Sequence, residues 1–102
     1  PRLFESEAGM INSVGLQNVG VRAFVKDKLP LLRGCGTAII ANVFGYAPED
    51  YEEVVRVMEG AEGVAAYELN VSCPNTKEGG IFFSSDPALL AQVVTGVRRI
   101  AK

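Results

Sequence analysis

Residues 37–69 read TAIIANVFGYAPEDYEEVVRVMEGAEGVAAYEL, and how this stretch folds decides the architecture. It opens on TAIIANV, residues 37–43, a short β-type run bounded by glycines, as expected of a strand buried on both faces. A helix follows. Pro48 suits its first turn, and Glu49 and Asp50 favour the positive end of its dipole. Tyr51, Val54, Val55 and Met58 recur on one apolar face, and Gly60 is placed to close the helix in a left-handed conformation. Residues 64–69, VAAYEL, then read as a second buried strand. Strand, helix, strand in this order implies parallel strands joined by a crossover.

Upstream, residues 1–20 are rich in Gly, Asn and Ser, and GLQNVG (15–20) signals turns and loops. Apolar residues at 21, 24, 25 and 29 make a short helical stripe that Pro30 is expected to interrupt, and Gly34-Cys35-Gly36 is a break. Downstream, residues 71–85 form a long loop. Ser85 or Asp86 then caps a helix with Pro87 just inside. Leu90, Val93, Val94 and Val97 form its core face, and Arg98, Arg99 and Lys102 complement its negative end. Gly96 costs that helix about 1 kcal/mol relative to alanine. Two strands are too few for a sheet covered on both sides, and a complete (β/α)8 barrel takes about 250 residues. The expected class is therefore α/β, a partial (β/α)8 TIM barrel, with residues 1–102 as a central fragment. Opening on Pro1 instead of methionine agrees with a missing true start.

The chain is 48% hydrophobic and 22% charged with a formal net charge of −2, which suits a soluble globular domain or part of one. No basic face invites nucleic acid, and no apolar run approaches the ~20 residues of a membrane helix. There is no secretory segment at the start. Histidine is absent, so the usual general base is missing. The two cysteines, Cys35 and Cys73, lie far apart and belong to no Cys-x-x-Cys pair, which argues against a metal site. The sequence is compatible with a disulfide between them, but a reduced, cytoplasmic setting is the simpler reading.

In parallel α/β folds, sites form at the carboxyl ends of strands. Asn42 lies near the exit of the first strand and Asn70 at the exit of the second. Two carboxamides on one face would suit a planar heterocycle with alternating C=O and N–H groups. Each asparagine could equally close a turn, as could Asn12 in MINSVGLQN. Cys73 sits in the polar loop NVSCPN between Ser72 and Pro74, next to Asn75. A free cysteine is commonly a small buried hydrophobe, but a reactive thiol needs such a partly exposed place and a pKa adjusted by its surroundings. Cys35, flanked by glycines, has no comparable setting and reads as structural. Lys77-Glu78-Gly79-Gly80 would serve either a lid or an ordinary connection, and its spacing matches no phosphate loop.

NSVGLQNVG (12–20), ANVFG (41–45) and ELNVSCPNTKEGG (68–80) together resemble dihydroorotate dehydrogenase, in that family's order and over essentially all 102 residues. The resemblance implies an FMN-binding (β/α)8 barrel that oxidises dihydroorotate to orotate in pyrimidine biosynthesis. The membrane-associated, quinone-linked class carries serine at Cys73, so cysteine indicates the soluble class 1 enzymes. GLQNVG, the Asn42 position and KEGGIFFSSDP are most similar to the B type, although Ser84 stands where glycine is common. That type implies an electron-transfer subunit carrying FAD and an iron–sulfur cluster, with NAD as acceptor, and a homodimer of the barrel.

Carried over residue by residue, the resemblance makes Cys73 the catalytic base. Asn12, the Val14-Gly15-Leu16 backbone, Asn70 and Asn75 would bind substrate, and Asn42 and Asn70 would bind the flavin. No metal, nucleic acid or membrane enters. Lysines that contact flavin and substrate, and the flavin phosphate site, would lie outside this window. Two other readings stand beside it. One is a related pyrimidine-reducing flavoprotein of the dihydropyrimidine dehydrogenase kind, which resembles this chain at ELN-SCP but has histidine in place of Asn75. The other is an inactive barrel fragment.

Overall fold

Alternation along two short strands sets the layers of this fold. β3 (Ile40–Val43) and β4 (Ala66–Leu69) pair in parallel, in the register Ile40↔Ala66, Ala41↔Tyr67, Asn42↔Glu68, Val43↔Leu69. Ala41 and Val43 are buried, and Tyr67 and Leu69 are half-buried beside them, so these four face the helices. Ile40, Asn42, Ala66 and Glu68 alternate onto the other face and are exposed. The structure is a computed structural model and describes residues 2–72 and 83–102.

Helix α3 (Pro48–Glu59) connects the two strands, giving the expected strand–helix–strand unit. Its first turn is held by Asp50, whose carboxylate accepts from the backbone N–H groups of Tyr46 (2.8 Å) and Ala47 (3.1 Å). Tyr51, Val55 and Met58 are buried on its inner face, as the spacing predicts, with Val54 half-buried. Helix α4 (Pro87–Arg98) packs alongside α3. Asp86 is its cap: one carboxylate oxygen accepts from the N–H groups of Ala88 (2.9 Å) and Leu89 (3.1 Å). The core joins Val43, Tyr51, Val55, Phe83, Val93 and Val97, with the Tyr51 and Phe83 rings edge to face at 5.5 Å.

Several expectations are corrected. The strand at 40–43 is buried on one face only, because among the described residues no second layer covers Ile40 and Asn42. Gly60 ends α3 with φ −76°, an ordinary right-handed value, and the positive φ falls at Gly63 (106°). Val94 is 42% exposed and Leu90 half-buried, so the inner face of α4 runs instead through Val93, Gly96 and Val97. Gly96 sits under Glu52 of α3, and a methyl group there would strike that side chain. Its helix-propensity cost thus accompanies a close helix contact.

Pro30 does not interrupt its helix. α1 (Val21–Ala23) runs into a π-turn (Phe24–Lys28), then α2 (Leu29–Leu32) and a 3₁₀ turn (Arg33–Cys35), ending at Gly36 with φ 66°. Proline has no N–H to give and its ring crowds the carbonyl four residues back. A widened turn just upstream removes that conflict without ending the helix. Leu29, from the predicted stripe, is fully buried. Residues 1–20, read as loop, contain an antiparallel hairpin of β1 (Leu3–Ser6) and β2 (Gly9–Asn12). Every residue of both strands is exposed. The described residues thus form a mixed α/β piece with one parallel pair and no closed barrel.

Tyr67 ties β4 to the end of α3 by donating its hydroxyl to Glu59 at 2.8 Å. Partial burial, then the hydrogen bond and charge of Glu59, push the phenol well above its ordinary value. A phenol raised on folding stabilises fully below its unfolded value near pH 10 and loses that contribution as pH climbs through the folded value. Tyr67→Phe is expected to cost about 1 kcal/mol at neutral pH. The gap from the native protein should narrow above about pH 10. Urea melts at both pH values check this.

Candidate functional site

The carboxyl ends of β3 and β4 lie side by side. The chain leaves β4 at Asn70, whose N–H donates to the Val43 carbonyl at 2.8 Å, extending the ladder past the last paired residues. The Tyr51 hydroxyl donates to the Asn70 carbonyl at 2.7 Å, so a side chain rooted in the core pins the backbone where the strand ends. The Asn70 side-chain oxygen accepts from Ser72, from its N–H at 3.3 Å and its hydroxyl at 3.1 Å, an Asx-type turn. Its Nδ2 donates to no described residue. Asn70 therefore closes a turn and still presents donors.

Asn42 projects from the face of the sheet that the helices leave open, and its Nδ2 donates to Glu68, its register partner on β4. A cleft of about 700 Å³ runs past it, lined by Leu16, Asn18, Ile40, Phe44, Tyr46 and Val54 among others. At its rim Gly45 is buried so tightly that an added Cβ would lie 2.5 Å from the Asp50 Cβ. Only glycine lets β3 turn into α3 there.

The segment after β2 is held by Arg2, whose guanidinium donates to the Val14 carbonyl (2.7 Å) and to Gln17 (3.0 Å). Asn18 donates to the Leu16 carbonyl (2.8 Å) and accepts from the Gly20 N–H (2.8 Å). Gly15 has φ 74°. The Val14, Gly15 and Leu16 N–H groups have no hydrogen-bond partner among the described residues.

Of the sequence-derived candidates, Asn42 and Leu16 share the cleft, and Asn70 lies one strand over. Asn12 ends β2 opposite Leu3 and, with Val14 and Gly15, does not line the cleft. Cys73 and Asn75 lie outside the described residues, as does the 77–80 segment. Cys35 is exposed and directs its thiol to the Leu31 carbonyl at 3.8 Å, closing the helical stretch. Sequence reasoning missed Glu68 and the Tyr51 hydroxyl. The signal for Glu68 was available: a charged residue inside a strand, two positions before Asn70, shares that residue's face.

A parallel α/β unit with amide-bearing strand ends beside an apolar cleft is the arrangement at which ligands commonly bind in open α/β sheets. The chain belongs to the dihydroorotate dehydrogenase family: the family model of that description matches residues 1–102. Members of this family are TIM-barrel enzymes, and the residues described above show a mixed α/β arrangement with one parallel strand pair. A Solibacter usitatus relative, provisionally named dihydroorotate dehydrogenase A (fumarate), is 70% identical over 101 residues, covering 99% of this chain and 33% of the relative. The dihydroorotate dehydrogenase B (NAD(+)) catalytic subunit of Trichlorobacter lovleyi is 49% identical over 98 residues, 96% of this chain and 32% of that one. An Aquifex aeolicus relative, again provisionally named for the A (fumarate) type, shows the same identity and coverage. The chain spans about a third of the length of the curated relatives it matches.

Proposed function

We propose that the protein carrying this chain oxidises (S)-dihydroorotate to orotate in pyrimidine biosynthesis, using FMN. The family match over residues 1–102 carries the reading. The geometry supports it in two places. Asn42 lies on β3 and Asn70 directly after the adjacent parallel strand β4, and both keep amide groups for the imide edge of a flavin or pyrimidine. The N–H groups of Val14, Gly15 and Leu16, without a partner among the described residues, are free to meet the substrate's carboxylate. Asn12 and Asn75 would hold the ring, as the family resemblance implies.

Cys73, as thiolate, takes the proton from C5 of dihydroorotate, and the electron pair of that C–H bond becomes the second bond between C5 and C6. FMN, when bound, supplies the acceptor for the hydride leaving C6. Asn70 contacts both flavin and substrate, and Asn42 holds the flavin. The flavin's phosphate would be held beyond these 102 residues, since barrels bind phosphate at their last strands. The isolated chain is therefore expected to bind FMN poorly and to be inactive.

For the electrons, the reading is the B type: a cytoplasmic catalytic subunit, a homodimer of barrels, and a partner subunit with FAD and an iron–sulfur cluster that passes electrons to NAD. The fumarate name of the 70%-identical relative favours a second reading, in which fumarate accepts them directly. The full-length protein, mixed anaerobically with dihydroorotate, should lose its visible flavin absorbance. An unchanged spectrum would rule out the reaction. Reoxidation by fumarate in the absence of any second subunit would rule out the B type.

A further inference from the structure

We propose that Glu68 is a positioning residue that sets which edge Asn42 turns toward the ligand. This rests on the flavin reading above and deepens it.

Asn42 and Glu68 are directly opposite in the parallel register, on the face of the β3–β4 pair that the helices leave open. On that face Asn42 lines the cleft, and Glu68 stands beside it on the neighbouring strand. The Asn42 carboxamide presents nearly the same shape either way round, and only its hydrogen bonds decide whether oxygen or nitrogen faces the ligand. An ionised carboxylate only accepts, so Glu68 can face the Nδ2 of Asn42 and never its oxygen. That bond is made in the structure.

The consequence is chemical. With one N–H engaged by Glu68, Asn42 presents its Oδ1 acceptor and a remaining N–H. This combination complements the neighbouring N–H and C=O of an imide. Reversed, the amide would direct donors at a ring N–H and leave that donor unsatisfied, at the cost of a lost hydrogen bond. Among the described residues Glu68 takes part in no ion pair, so orienting Asn42 is its one described engagement. Asn42 in turn is the one described side chain hydrogen-bonded to Glu68.

The test is FMN affinity of the full-length protein by fluorescence titration, which does not depend on turnover. Glu68→Leu removes the acceptor and is expected to weaken FMN binding at least tenfold. Glu68→Gln can accept or donate and should fall between Leu and the native residue. Because Glu68 acts through Asn42, the Glu68→Leu loss should shrink to less than twofold in an Asn42→Ala background.

FMN affinity within twofold of native in Glu68→Leu overturns the proposal, as does an equal loss in both backgrounds. If Glu68→Leu shows no cooperative melt, Glu68→Gln decides. A several-fold loss that disappears in the Asn42→Ala background supports the role, and native affinity overturns it. A native protein that takes up no FMN sinks the flavin reading and this proposal together. Uptake by the native protein with no effect of either variant sinks this proposal alone.

Discussion

Replacing Cys73 by alanine in the full-length protein is expected to leave FMN bound while slowing its reduction by dihydroorotate by 10²–10⁴-fold. The size follows from the chemistry. The C5 proton of dihydroorotate needs a base, and among these 102 residues, which contain no histidine, a thiol is the candidate. A thiol ionises within reach of neutral pH, and its thiolate takes up the proton directly. If Cys73 is the base proposed above, alanine removes the acceptor and leaves the proposed flavin contacts of Asn42 and Asn70, so binding and turnover should separate. Cys73→Ser is the sharper variant. Its hydroxyl resists deprotonation far more, so reduction should be slow at neutral pH and quicken as pH rises. Stopped-flow measurement of flavin absorbance reads both. Reduction by Cys73→Ala within a few-fold of native would remove Cys73 from the base role.

Tyr51→Ala is expected to be the most damaging packing change, costing about 3–5 kcal/mol. The ring is fully buried between Val43, Val55 and Phe83, and its hydroxyl donates to the Asn70 carbonyl. Truncation opens a cavity at the junction of strands and helices and takes a donor from the end of β4. Against a typical total of about 5–15 kcal/mol, such a loss largely unfolds a marginal domain. Tyr51→Phe separates the two effects: it keeps the ring and should cost about 1 kcal/mol. A melt of Tyr51→Ala within 1 kcal/mol of native would show that the core does not depend on this side chain.

The legible parts of this chain were those whose signals are local. Asp86 before Pro87, and Pro48-Glu49-Asp50 at the head of α3, announce helix starts because capping acts within one turn. The apolar spacing of Tyr51, Val55 and Met58 revealed a buried face for the same reason. The hairpin at 3–12 escaped because its apolar residues come as adjacent pairs, Leu3-Phe4 and Met10-Ile11. Such pairs show no alternation, and all four side chains are exposed. Pro30 was read from its own chemistry, whereas the answer lay upstream in a widened turn. Asn42 was found by its place at a strand exit. Its link to Glu68 depends on register between strands 26 positions apart, which no local window contains.

The open face of the β3–β4 pair also matters before the protein is finished. Each strand has a partner on one side only among the described residues, and Ile40 is 63% exposed on the uncovered face. A ribosome adds about 5–20 residues per second, so a strand pair emerging ahead of its neighbours stays uncovered for seconds. During that interval the bare edges are templates for any passing extended chain. In the nascent chain, the β3–β4 pair is thus an exposed sheet edge of the kind that chaperones shield.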